Sequence, residues 1–181
     1  ERADRGVEEE VRAARARVLI PRMGPNADVI AAVMCGEGLR AEALPMPSRA
    51  TLRLGRRYTS GKECVPMTLT AGSLLARLDE LAAEAGPDER FAFFMPSAGG
   101  PCRFGVYNLF HKILLEQTGW RDRVDVISPD SSDYFKDVSA DFQIRASVAA
   151  VASDLLLAAL HDVRPVERRP GAAQRIYDRH V

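Results

Sequence analysis

FAFFMPSAGGPCRFG, residues 91–105, carries five apolar residues into a glycine-rich turn and then a cysteine at the head of a helical pattern. Phe91-Ala92-Phe93-Phe94-Met95 shows no polar alternation, as expected of a strand covered on both faces, and such strands belong mostly to parallel sheets. Pro96 ends the run. Gly99 and Gly100 supply a backbone able to turn tightly and approach a ligand, and Pro101 suits the first turn of a helix. Cys102 is therefore expected at a helix N-terminus, where unpaired amides and the helix dipole favour a thiolate. On that ground it should alkylate faster than Cys35. The same residues also fit a plainer role, a cysteine packed in a glycine-rich corner.

Outward from this stretch the chain alternates strand and helix. Arg17 to Ile20 is a short β-branched run ended by Pro21. A turn through Met23, Gly24 and Asn26 leads into a helix over 27–39, with Val29, Ile30, Val33 and Met34 on one face and Gly38 as its cap. Cys35 lies beside that face and is expected in the core. Ala41 to Leu44 is a second strand, residues 46–54 have no regular pattern, and 55–64 read as a loop with two glycines, basic residues and Cys64. A helix follows from Pro66 to Ala85. Beyond the central strand a helix runs to Gly119, a fourth strand covers 123–127, and Ser128 to Asp133 is a turn cluster. A long helix over 141–163 carries Ile144, Val148, Val151, Leu155 and Leu156 on one side, and Arg164-Pro165 stops it.

Strands separated by helices predict an α/β, Rossmann-like parallel sheet of about four strands in the order 2-1-3-4, flanked by helices. The predicted organisation is a linker or solvated helix over 1–16, the α/β domain over 17–163, and a tail with a short helix over 164–181. The switch point then lies between the first and third strands, and ligands bind beyond the carboxyl ends of strands at such points. Met23 and Gly24 would face Gly99, Gly100 and Cys102 across one crevice. Cys64 joins them if the 55–64 loop folds back over that edge.

The 181 residues balance 25 basic against 25 acidic side chains, so overall charge points to neither nucleic acid nor an anionic membrane. Three cysteines at wide spacing, with no signal peptide and no apolar run of 18 residues, fit a reducing cytoplasm. The charged opening ERADRGVEEE reads as the exit of a longer polypeptide. Gly61-Lys62 invites comparison with a phosphate-binding P-loop, but Arg56 stands where the first glycine is needed and Glu63 replaces the Ser or Thr. His111, His161 and His180 all fall on or after helices, away from the crevice loops, and His111 is expected as a packed or surface residue.

Tyr58 to Cys64 (YTSGKEC) with Pro66, and Phe93 to Pro96 leading to Gly100-Pro101-Cys102-Arg103-Phe104-Gly105-Val106-Tyr107, together resemble the C-terminal region of large activase-like proteins. These are related to the 2-hydroxyacyl-CoA dehydratase activators, the CoA-substrate-specific enzyme activase family. The likeness continues in Pro21 to Gly24, Gly72 to Leu75, and Val163 to Glu167 with Gly171. The resemblance implies that ATPase domains lie elsewhere in the same polypeptide and that an acyl-CoA dehydratase or reductase is the partner. It implies also that Cys64 and Cys102 are ligands of a [4Fe-4S] cluster, which the isolated piece need not hold, with Gly61, Lys62, Glu63, Gly99, Gly100 and Arg103 lining the site. Two thiolates do not make a Cys₄ site, so other ligands must come from outside this chain. Two other readings remain open. In one, the crevice binds a CoA phosphate through Arg56, Arg57 and Lys62; in the other, the domain only docks.

Overall fold

The computed structural model describes residues 15–84, 86, 88–129 and 139–180. In chain order these form β1 (Arg17–Ile20), α1 (Asn26–Gly36), β2 (Arg40–Ala43), α2 (Arg49–Arg56), α3 (Val65–Glu84), β3 (Phe91–Phe94), α4 (Tyr107–Gln117), β4 (Val124–Ile127), α5 (Ala140–Val163) and α6 (Ala172–His180), with 3-10 turns at Arg103–Val106 and Arg164–Val166. The four strands make one sheet in the order β2-β1-β3-β4. Every pairing is parallel, with Arg17 opposite both Arg40 and Phe91, and Phe91 also opposite Val124. The expected α/β sheet with order 2-1-3-4 is the observed one.

Alternation along the strands divides the core between the two faces. Leu19, Phe91 and Phe93 point to the side covered by α3 and α4, where they meet Leu74, Leu78, Leu81 and Leu115. Val18, Ile20 and Ala92 point the other way, onto Ala27, Ala31 and Met34 of α1 with Phe142 of α5 against them. A sheet buried on both faces needs strands without polar alternation, which is why FAFFM was so legible.

Four local expectations are corrected. Residues 46–54 are not irregular: Arg49–Arg56 is a helix, opened by a reciprocal capping box in which Ser48 Oγ accepts from the Thr51 amide and Thr51 Oγ1 from the Ser48 amide. Gly55, taken for the start of a loop, lies buried inside that helix where it crosses α3 at Gly72. The α1 face against the sheet is Ala27, Ala31 and Met34 rather than Val29 and Val33. Cys35 is exposed, its thiol donating to the Ala41 carbonyl at 3.3 Å, so it is no core residue.

Asp130 to Asp133 of the turn cluster Ser128 to Asp133, and most of the 1–16 segment, lie outside the described residues. The segment after Val163 is not detached: α6 packs against α5, and Glu167 caps it by accepting from the amides of Gly171 at 2.5 Å and Ala173 at 2.8 Å. Ala140–Val166, helix α5 with its 3-10 extension, is long and apolar enough to cross a membrane by length and composition alone, with mean hydropathy 1.5. No such stretch was expected from the sequence. Its inward side is docked on α1, where Ser153 Oγ donates to Asn26 Oδ1 at 2.9 Å.

Candidate two-thiol site

The site lies at the carboxyl edge of the sheet. Helix α3 descends from that edge, so its first residues and the loop before them hang over the top of the strands. The loop after β3 rises beside them. Cys64, immediately ahead of α3, is half-buried against the aromatic core, and its sulfur lies 2.7 Å from the Tyr107 hydroxyl at the start of α4. Tyr107 is itself buried, with Phe104 edge-on at 5.3 Å. Cys102 is exposed on the opposite loop, next to Arg103. Burial, then the bond to Cys64, then the charges of the two cysteines push the Tyr107 hydroxyl far above its ordinary range, so it stays a neutral phenol.

Two further contacts fix the geometry. The Arg103 guanidinium donates to the Lys62 carbonyl, tying the two cysteine loops together. Ser97 Oγ donates to the Gly105 carbonyl at 3.2 Å, folding the loop after β3 onto itself. Gly105 permits that fold, because a Cβ there would sit 2.4 Å from the Ala98 carbonyl oxygen. Gly61 and Gly100 adopt φ of 86° and 105°, in the region that side chains resist.

Glu63 does not face the crevice. Its carboxylate turns back on its own loop and accepts from the Ser60 amide at 3.1 Å, the Ser60 hydroxyl at 3.0 Å and the Gly61 amide at 3.0 Å. Those bonds, the Ser60 amide first, hold it below the usual carboxylate range. The loop amides that could have cradled a phosphate are thus already taken by an internal anion. Lys62, Arg56 and Arg57 are exposed around it.

Of the other expected lining residues, Gly99 and Gly100 are exposed on the Cys102 loop. Met23 and Gly24 follow β1 at the same edge, Met23 about half exposed and Gly24 with open space where a Cβ would stand. The turn that carries them is braced by Arg22, which sequence reasoning passed over. Its guanidinium donates to both Asp28 carboxylate oxygens, at 2.5 and 2.6 Å, and to the Leu44 carbonyl at 2.8 Å, so one residue joins the loops after β1 and β2. Tyr107 was also missed as a site residue. Its signal was the aromatic one turn beyond Cys102, which helical periodicity alone assigns to the core.

One premise about Cys102 changes. It precedes the 3-10 turn Arg103–Val106, and the α-helix proper begins five residues later at Tyr107. The dipole effect fades within the first helical turn, so it supplies no reason for an unusually acidic thiol. Accessibility then sets reactivity, and exposed Cys35 shares it; the expected lead of Cys102 over Cys35 goes with that premise. The structure predicts instead that iodoacetamide modifies Cys102 and Cys35 several-fold faster than Cys64, as peptide mass spectrometry would follow. Tyr107→Phe should speed Cys64 by freeing its sulfur. Equal rates for all three cysteines in the parent protein would contradict this placement of Cys64.

Among the described residues no group of three or more His, Cys, Asp or Glu side chains is placed to hold a metal ion together. The arrangement supplies two free thiols on cross-tied loops, a neutral phenol against one of them and a guanidinium bridging the loops. Thiols are the donor type that iron–sulfur clusters take, and the set lacks the base and orienting acid of a nucleophilic catalyst. No family model, no curated protein and no solved structure matches the chain.

Proposed function

We propose that the Cys64–Cys102 mouth is the two-thiolate half of a [4Fe-4S] site, in a chain belonging to an activase-like polypeptide that serves acyl-CoA dehydration or reduction in the cytoplasm. The observation that carries this reading is that the loops bearing two free cysteines, 38 positions apart in sequence, are tied together by Arg103 on the Lys62 carbonyl. Thiolates are what such clusters require, and the remaining ligands come from another segment, a second chain or a non-protein ligand. Bound there, the cluster would supply low-potential electrons one at a time. Cys64 and Cys102 would hold it, Arg103 would offset its negative charge, and the Tyr107 hydroxyl would donate a hydrogen bond to the Cys64 sulfur. ATPase domains of the same polypeptide would power the transfer, and an acyl-CoA dehydratase or reductase would receive it.

The alternative, a CoA phosphate on the helix N-terminus at Cys102 with Arg56, Arg57 and Lys62 as contacts, is the weaker one, since Cys102 heads only a short 3-10 turn and the α-helix begins at Tyr107. Anaerobic reconstitution with ferrous iron and sulfide separates the two. In the complete polypeptide, which supplies the remaining ligands, iron and a broad visible absorbance are expected in the parent and in Cys35→Ser, and both are lost in Cys64→Ser and in Cys102→Ser with far-ultraviolet circular dichroism unchanged. Iron content equal across all four proteins, or no iron in any of them together with thermal protection by CoA, would overturn the cluster reading.

A further inference from the structure

Helix α5 carries two apolar stripes on opposite sides. The inward stripe, Phe142, Ala146, Ala149, Ser153, Leu157 and Leu160, is buried or half-buried. The outward one, Ile144, Val148, Val151 and Leu155, is 63, 64, 60 and 67% exposed. The two are offset by two positions, about 200° around the helix, so the contacts that seat α5 on α1 do not reach the outward side. Spacing of four, three and four residues is the seam pattern by which one helix receives another. The flanks at Ala152, Ala158 and Ala159 are small and exposed, which lets a second backbone come close.

Charge at the rim says what kind of helix fits. Asp141, Asp154 and Asp162 border the outward stripe, and the basic residue there, Arg145, is already paired with Glu37 at 3.4 Å. Asp162 stands in the last turn of α5, where a negative charge opposes the helix dipole, so it does nothing for the helix that carries it. We propose that this face seats an amphipathic helix of a partner protein, with branched aliphatic residues filling the seam and Lys or Arg along its rim. From Ile144 to Leu155 the seam runs about 16 Å, so the occupant needs three to four turns.

The rim argues against two other occupants. A second copy of this chain, paired in parallel, would set Asp162 against its own counterpart. Paired antiparallel about Val148 and Val151, it would bring Asp162 within about one turn of the other Asp141. A bilayer surface is met by helices with basic rims, and an aspartate rim is repelled by anionic lipid.

The test uses the protein with two synthetic helical peptides of about fifteen residues that share a Leu/Ile seam, one with Lys and one with Glu along the rim. Fluorescence anisotropy should show saturable one-to-one binding of the Lys-rimmed peptide, weakened by salt. Val148→Asp or Val151→Asp should weaken it at least about tenfold, and Asp154→Lys with Asp162→Lys should shift the preference to the Glu-rimmed peptide. All four positions are exposed, and unchanged melting curves would show that folding is intact. Binding of both peptides equally, or of neither, overturns the proposal. So does self-association or flotation with anionic vesicles that the Val148 and Val151 variants abolish.

Discussion

Gly72→Ala is expected to destabilise the protein by about 3 kcal/mol, the upper end of what overpacking costs. A Cβ on Gly72 would stand 1.8 Å from the Thr51 carbonyl oxygen and 2.8 Å from the Gly55 amide nitrogen, and one on Gly55 would stand 2.0 Å from the Thr68 carbonyl oxygen. These are main-chain atoms of the facing helix and cannot swing aside, so α2 and α3 must part. Alanine ordinarily gains about 1 kcal/mol over glycine inside a helix, and here that gain is swamped by the clash. Gly36, with open space around its Cβ position, is the control and should be neutral or slightly stabilised by alanine. Urea unfolding of Gly72→Ala, Gly55→Ala and Gly36→Ala decides the matter. A Gly72→Ala protein as stable as the parent would refute the close crossing. Because the segment leaving α2 carries Cys64 to the site, parting the helices should also lower iron incorporation under the conditions given above.

The second large effect is on acid stability. His111 is fully buried between Phe93, centroids 4.9 Å apart, and Phe110 at 5.5 Å. Its Nδ1 lies 2.6 Å from the Tyr107 carbonyl, which only accepts, so Nδ1 carries the proton and Nε2 is bare and without a partner. Burial, partly offset by that backbone bond, pushes its pKa down from 6.5 to about 4. Above pH 6.5 the imidazole is neutral in both states and stability is unaffected by it. Between pH 6.5 and 4 the unfolded chain takes up a proton that the folded protein refuses. Stability should therefore fall by about 1.4 kcal/mol per pH unit, about 3 kcal/mol in all.

Below pH 4 this group adds no further loss. Glu63 and Glu167, whose pKa values are lowered by hydrogen bonds from backbone amides, lose their contributions only below pH 4.5, so the upper part of the window belongs to the histidine. His111→Leu should flatten the slope between pH 6.5 and 4.5 whatever it does to stability at pH 7. A slope unchanged in that variant would remove His111 as its source. The point matters for the site, because His111 and Cys64 grip the same Tyr107, one through its carbonyl and the other through its hydroxyl.

What could be drawn from the sequence follows from periodicity. Strands buried on both faces must be apolar throughout, so FAFFM announced a parallel sheet, and the sheet order was read from the alternation of strands with helices. The two cysteine loops were marked by their glycines and prolines, because positive φ and sharp turns restrict composition. Distances across the fold leave no such trace. That Gly55 and Gly72 meet and that Arg22 reaches the Leu44 carbonyl depends on partners brought together only when α2, α3 and the sheet have docked.

The exposure of Cys35 and the burial of His111 were decided the same way, by which face of a helix turned to the sheet. Both stripes of α5 are apolar, so composition could not choose between them; the docking of the Phe142 and Ser153 side on α1 did. Local pattern sets which residues are available to a core or a site, whereas the docking of whole elements selects which of them touch, since the free energy of burial is summed over complete faces and not over single residues.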